Sequence, residues 1–158
     1  MIAIPVNTYL HPNELAYIIN DCQPQVILAP KRLQDKIPKE VSIPVITVDE
    51  CVTLSPNAPA TQPKEYEGLK YCALLYTSGT TGHPKGVMLS SKNILTNSLQ
   101  AIINLKVSSD ERIFAALPLF HSLMQNATVW CPCIVGASVV LVPGIIRSSI
   151  KEALQHKP

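Results

Sequence analysis

The residues that most restrict this chain lie between Thr77 and Gly86. An apolar run, Tyr71–Tyr76, reads as a strand. It empties directly into Thr77-Ser78-Gly79-Thr80-Thr81-Gly82-His83-Pro84-Lys85-Gly86. These ten residues hold three glycines, four hydroxyl side chains and one lysine. Glycines admit positive φ and let the backbone approach a ligand closely. Successive N–H groups in such a loop form a concavity for anions. The hydroxyls of Thr77, Ser78, Thr80 and Thr81 add neutral donors, and Lys85 adds a positive charge on a flexible stem. The combination suits a polyphosphate. Spacing sets aside three other phosphate or nucleophile loops. A Walker A loop needs G-x-x-x-x-G-K-[ST], whereas here Gly82 precedes Lys85 by three and Gly86 follows it. The G-x-G of a dinucleotide fingerprint and the G-x-S-x-G elbow are both missing. The bland alternative is a Gly/Thr hairpin that merely joins two strands.

The rest of the chain alternates strand and helix patterns. Ile2–Val6 reads as a short strand. His11–Cys22 reads as a helix, with Pro12 in its first turn and Glu14 near its N-terminal dipole. Leu15, Ile18, Ile19 and Cys22 fall on one stripe of it. Val26–Ala29 reads as a buried strand, Lys31–Ile37 as a short link and Pro44–Val48 as a third strand. This β-α-β-α-β order predicts a parallel sheet with helices on its faces. Thr53–Lys70, with Pro56, Pro59 and Pro63, predicts an exposed connector. The expected division is therefore 1–50, a connector over 51–70, and 71–158 carrying the loop. In that last part Val87–Leu89 reads as a strand. Ser90 or Ser91 caps a helix whose inward face is Leu95, Leu99, Ile102 and Ile103. Arg112–Leu117 reads as a strand, His121–Val135 as a helix despite Pro132, Ser138–Val142 as a strand and Ile145–His156 as a last helix. The strand at the start and the stop at Pro158 read as cut edges of a larger fold.

Composition narrows the function classes. Charged residues are 15 %, which points to surface covered by something larger. A net charge of +2, with no basic patch interleaved with aromatics, argues against nucleic acid. Met1–Val6 lacks the basic start of a leader peptide, and a cytoplasmic protein is expected. Five cysteines, Cys22, Cys51, Cys72, Cys131 and Cys133, read as buried free thiols, because the Cys131-Pro132-Cys133 spacing does not match a C-x-x-C pair. No Lys, Arg, Asp or Glu occurs between Arg112 and Arg147. Polar and helix-breaking residues interrupt that stretch, so a buried strand–helix–strand unit is expected and not a membrane span.

Tyr76-Thr77-Ser78-Gly79-Thr80-Thr81-Gly82-His83-Pro84-Lys85-Gly86-Val87 resembles the [ST]-S-G-T-T-G-x-P-K-G-V motif of the adenylate-forming superfamily. That family includes acyl-CoA synthetases, luciferase-like enzymes and peptide-synthetase adenylation domains. Two further stretches are similar: Ile4-Pro5-Val6-Asn7 with His11–Ile18, and Ala116-Leu117-Pro118-Leu119-Phe120-His121-Ser122. The resemblance runs through the whole chain, in the family's order, and implies a fragment of the large N-terminal domain. The fold class it implies is α/β, mainly parallel sheets with flanking helices. Phe120-His121-Ser122 resembles acyl-CoA synthetases more than amino-acid adenylation domains, which implies a fatty or related carboxylic acid. Ser91, where many relatives have His, and Met124, near a frequent glycine, leave chain length open.

The resemblance implies that a carboxylate attacks the α-phosphate of ATP with Mg2+, that pyrophosphate leaves, and that the thiol of coenzyme A takes the acyl group. Thr77, Ser78, Gly79, Thr80, Thr81, Gly82 and Lys85 would hold the β- and γ-phosphates. His121 would stand near the acyl end and the thiol tunnel, as a positioning or gating residue. A surface loop histidine is the alternative. His83 occupies the variable place of the motif and reads as exposed and non-catalytic. His11 and His156 read as helix-end residues. The family's Y-G-x-T-E and T-G-D segments are not found in the sequence, so the metal ligand is expected outside this chain, and the chain alone is expected to be inactive. The competing class is a non-catalytic phosphate-binding or assembly module, self-associating through exposed sheet edges.

Overall fold

The computed structural model describes residues 1–48, 71–77, 82–142 and 146–155. These fall into two units, each described by itself. The first comprises residues 1–6, 71–75, 87–142 and 146–155. The second comprises residues 7–48, 76–77 and 82–86.

In the second unit, α1 (Pro12–Cys22) forms where the apolar stripe predicts it. The Glu14 carboxylate accepts the backbone N–H of His11 at 2.8 Å, which fixes the first turn. Ile18 and Ile19 are its buried residues. The helix ends at Gln23, whose φ of 43° is left-handed and whose N–H donates to the Ile19 carbonyl. Strand β1 (Ile27–Ala29) pairs in parallel with β2 (Val45–Thr47), Ile27 opposite Val45 and Ala29 opposite Thr47. A 3-10 helix, Lys31–Lys36, lies on the crossover between them. The parallel pairing follows the sequence expectation. The expected burial of the whole of Val26–Ala29 does not, since Leu28 is 61 % exposed and only Ala29 is buried. A two-stranded ribbon leaves alternate side chains without a covering layer.

In the first unit, β3 (Ala73–Thr77) is the central strand, its last two residues belonging to the second unit. Ala3 forms an isolated parallel bridge to Ala73, with N–H···O contacts of 2.9 Å to Cys72 and Leu74. The opening segment thus pairs with β3 and not with β1, and it forms one bridge where the apolar run predicted a strand. Strand β4 (Lys85–Leu89) is hydrogen-bonded to β3 on return from the loop, with Cys72 N–H donating to Leu89 at 2.8 Å.

Helix α2 (Ser91–Leu105) starts at Ser90, whose hydroxyl accepts the Asn93 N–H at 3.1 Å. Its inner face differs from expectation. Leu95, Leu99 and Ile103 are 50, 42 and 72 % exposed, while Ser98 is fully buried. Ile94, Ser98, Ala101 and Ile102 form the covered stripe instead.

Strand β5 (Arg112–Ala115) and β6 (Ser138–Leu141) pair in parallel, Arg112 opposite Ser138. The helical run between them has three pieces: α3 (Ser122–Gln125), a π-helical turn (Asn126–Trp130) and α4 (Cys131–Val135). Pro132 explains the interruption. It has no N–H to offer the carbonyl four residues back, so the ladder shifts register ahead of it. Thr128 Oγ1 also donates to the Met124 carbonyl at 2.7 Å and competes locally with the ladder. Gly136, at φ 79°, closes the run, its N–H donating to Pro132 at 2.8 Å. Ser98 of α2 meets this run. Its hydroxyl donates to the Ile94 carbonyl at 2.8 Å and lies 2.5 Å from the Asn126 amide. Asn126 Nδ2 in turn donates to Asn97 Oδ1 at 2.9 Å. The last helix, α5 (Arg147–Gln155), follows β6.

The fold is mixed α/β with parallel strand pairs, as the sequence pattern requires. Among the described residues no helix is long and apolar enough to cross a membrane. The Pro-rich connector, Ser78–Thr81 and His156 lie outside the described residues.

Candidate functional site

The loop that dominates the sequence is carried at the turn between β3 and β4. Thr77 is the last residue of β3 and Lys85 the first of β4. Thr77 Oγ1 donates to the Lys85 carbonyl at 3.5 Å, so the two ends of the loop face each other. Both side chains are exposed. Among the described residues no ion pair holds the Lys85 ammonium. Gly82 has φ 93° and nothing within 4 Å of where a Cβ would stand. Its requirement for glycine is thus conformational, and the space beside it is open. Of the predicted binding residues, Thr77, Gly82 and Lys85 are therefore gathered at one hairpin mouth, while Ser78, Gly79, Thr80 and Thr81 fall outside the described residues.

Two flanking contacts come from α1. Tyr76, just before Thr77, donates its hydroxyl to Asp21 Oδ2 at 2.5 Å. Burial, and then this hydrogen bond, push the Tyr76 phenol well above its usual pKa, so it stays a donor at neutral pH. Cys22 is also in contact with the Tyr76 hydroxyl, and burial raises its thiol pKa. On the other side of the loop, His83 stacks on Tyr17 with ring centroids 5.0 Å apart and planes 17° from parallel. His83 is exposed, as expected, but it has a stacking partner that its place in the motif did not announce. Asp21 has no signal in the sequence, because its partner Tyr76 lies 55 residues on, and the resemblance of His11–Ile18 includes Tyr17 without pointing to His83.

His121 belongs to the first unit. It caps α3: its carbonyl accepts the Gln125 N–H at 3.0 Å, and its ring lies against Phe120 at 4.4 Å. The side chain is exposed. The cysteines are more varied than expected. Cys131 is buried, Cys22 and Cys72 are half-buried, and Cys133 is exposed. Cys133 departs from the buried reading because Pro132 and Cys133 follow Cys131 on a helix, where neighbours point to different sides.

The donor set at the hairpin mouth, a hydroxyl, a left-handed glycine and an ammonium, is of a kind that suits an anion. Among the described residues no group of three or more His, Cys, Asp or Glu side chains converges.

The AMP-binding enzyme family matches residues 1–158, and the chain belongs to that family. Among its relatives, a 2-succinylbenzoate–CoA ligase of Bacillus cytotoxicus is 31 % identical over 99 % of this chain and 31 % of its own length. A mitochondrial malonate–CoA ligase of Homo sapiens is 30 % identical over 90 % of this chain and 26 % of its own. ATP-bound MatB from Rhodopseudomonas palustris superposes with a TM-score of 0.81 at 26 % identity, over 98 % of this chain and 33 % of that one. MenE from Bacillus subtilis, in complex with ATP and magnesium, gives 0.81 at 27 % identity, over 97 % of this chain and 40 % of that one. The chain thus spans about a third of the length of the relatives it matches.

Proposed function

We propose that this chain supplies the triphosphate-binding part of an ATP-dependent acid–thiol ligase. The enzyme would convert a carboxylic acid to its acyl-adenylate and then to the acyl-CoA. One observation carries the reading: Thr77 and Lys85 face each other across a loop whose Gly82 is left-handed. Thr77, Ser78, Gly79, Thr80, Thr81, Gly82 and Lys85 are the residues assigned to the β- and γ-phosphates. Their N–H groups, hydroxyls and ammonium would stabilise the charge that collects on the leaving pyrophosphate. His121, exposed at a helix start, is assigned to the acyl side as a positioning residue. Magnesium would neutralise phosphate charge, with its protein ligands supplied from outside the described residues. The relatives named for succinylbenzoate, ferulate and malonate act on quite different acids. A fatty or related acid, argued from Phe120-His121-Ser122, is our proposal within that range. A cytoplasmic location and the division into 1–50, 51–70 and 71–158 have the same standing.

The test is ATP binding, together with ATP–pyrophosphate exchange in the presence of magnesium and fatty, malonic, hydroxycinnamic and succinylbenzoic acids. The chain is expected to bind ATP weakly and to catalyse no exchange by itself. Lys85→Ala should weaken binding roughly fivefold, about 1 kcal/mol, because an exposed ammonium acts on phosphate through screened solvent. Unchanged ATP affinity in Lys85→Ala would sink the phosphate assignment. Acid-dependent exchange by the chain would show that it is self-sufficient. ATP binding with no exchange after the part of a relative that this chain does not match is supplied would favour the second reading, a phosphate-binding or assembly module.

A further inference from the structure

Helix α1 carries Tyr17 and Asp21 four residues apart, and therefore on one face. Both reach the flanks of the loop. Asp21 holds Tyr76, the residue before Thr77, and Tyr17 stacks on His83, the residue after Gly82. One helix face thus grips the chain where it enters the loop and where it leaves. We propose that α1 is a clamp for the phosphate loop, with Tyr17 and Asp21 as positioning residues that fix the separation of Thr77 and Lys85. This rests on the phosphate-binding reading above.

The physical case is one of preorganisation. A loop that orders only when ligand arrives gives up affinity to that ordering, and fixing its flanks on folding lowers the freedom left to lose. The two contacts divide the task by chemistry. The Tyr76–Asp21 bond is directional and charge-assisted, and sets the height of the entering strand. The Tyr17–His83 stack is broad and apolar, and limits swing of the leaving segment while letting Lys85 turn. The Asp21 carboxylate would repel a phosphate if it faced the loop mouth. Its engagement by the Tyr76 hydroxyl makes it a support behind the loop instead.

The experiment is a titration of the chain with inorganic tripolyphosphate, with amide hydrogen exchange at Thr77 and His83 recorded without ligand. Tyr17→Leu, Asp21→Ala and Tyr76→Phe each delete one contact, whereas Tyr17→Phe and Asp21→Asn each keep a ring or an acceptor. The three deletions should lower affinity about three- to tenfold and speed exchange at both amides, as expected when a binding loop is loosened. Tyr17→Phe and Asp21→Asn should stay within about twofold of the unaltered chain, since stack and acceptor persist. The His83 ring proton resonances should move in Tyr17→Leu and hold in Tyr17→Phe. If the deletions leave affinity and exchange unchanged while Lys85→Ala weakens binding, the clamp is wrong and the phosphate reading stands. If Lys85→Ala also has no effect, or the unaltered chain does not bind tripolyphosphate, the phosphate reading falls and the clamp with it.

Discussion

Ser98 decides which face of α2 is the inside, and its substitution has a calculable cost. The side chain has no solvent exposure, bonds the Ile94 carbonyl and lies against the Asn126 amide. Ser98→Ala removes the hydroxyl and leaves the half-buried Asn126 amide one partner short. The Ile94 carbonyl keeps its helical donor, so the loss is about 0.5–1.5 kcal/mol, the net value of a typical hydrogen bond. Ser98→Leu loses the same bonds and adds volume where Cys131 Sγ donates to the Ser98 carbonyl at 3.6 Å. Overpacking adds about 1–3 kcal/mol, giving a total of about 1.5–4.5 kcal/mol. Leu95→Ser, on the half-exposed face, forfeits about half the value of a buried leucine, or about 1 kcal/mol. Urea unfolding followed by the fluorescence of Trp130 reads the difference locally. Trp130 is the sole tryptophan and lies in the π-helical turn beside α2. With a slope of about 1–3 kcal/mol per molar urea, Ser98→Leu should lower the midpoint by about 1 M or more, and Leu95→Ser by less. If Leu95→Ser proves the costlier change, the leucine face is the inside and the reasoning from Ser98 is refuted.

Other expectations follow from single positions. Gln23→Gly, relieving a φ of 43°, should raise the stability of the second unit by about 0.5–1 kcal/mol, read as a higher unfolding midpoint. A fall would mean that the Gln23 side chain contributes more than its backbone costs. Burial raises the Cys131 and Cys22 thiols, so each forms less thiolate than an ordinary cysteine until the pH passes its raised value. Timed labelling with a thiol reagent at pH 8, read by peptide mass, should therefore modify, among the four described cysteines, the exposed Cys133 first and Cys131 last, and rapid labelling of Cys131 would contradict its burial.

Legibility in the sequence followed the range of the interactions. The helix Pro12–Cys22, the capped start of α2 and the strands on either side of the loop come from local patterns: a 3.6-residue stripe, a serine before a helix, an apolar run ending in glycines. The residues proposed to bind phosphate were equally local, because Thr77, Gly82 and Lys85 lie within nine residues and one hairpin suffices to gather them. What the sequence left open needed partners distant along the chain. Nothing in Ile2–Val6 says that Ala3 bridges to Ala73 and not to β1. The stripes Leu95-Leu99-Ile103 and Ile94-Ser98-Ala101 are both helical in period. Hydrophobicity favours the first, and only the meeting of a small serine with Asn126 and Cys131 selects the second. Tyr17 and Asp21 read as ordinary helix residues until the fold sets them beside His83 and Tyr76. The sequence by itself determined the elements and the chemistry of the loop, since these depend on neighbours in the chain. Tertiary structure alone decided which helix face is covered and what grips the loop, since packing is set by neighbours in space.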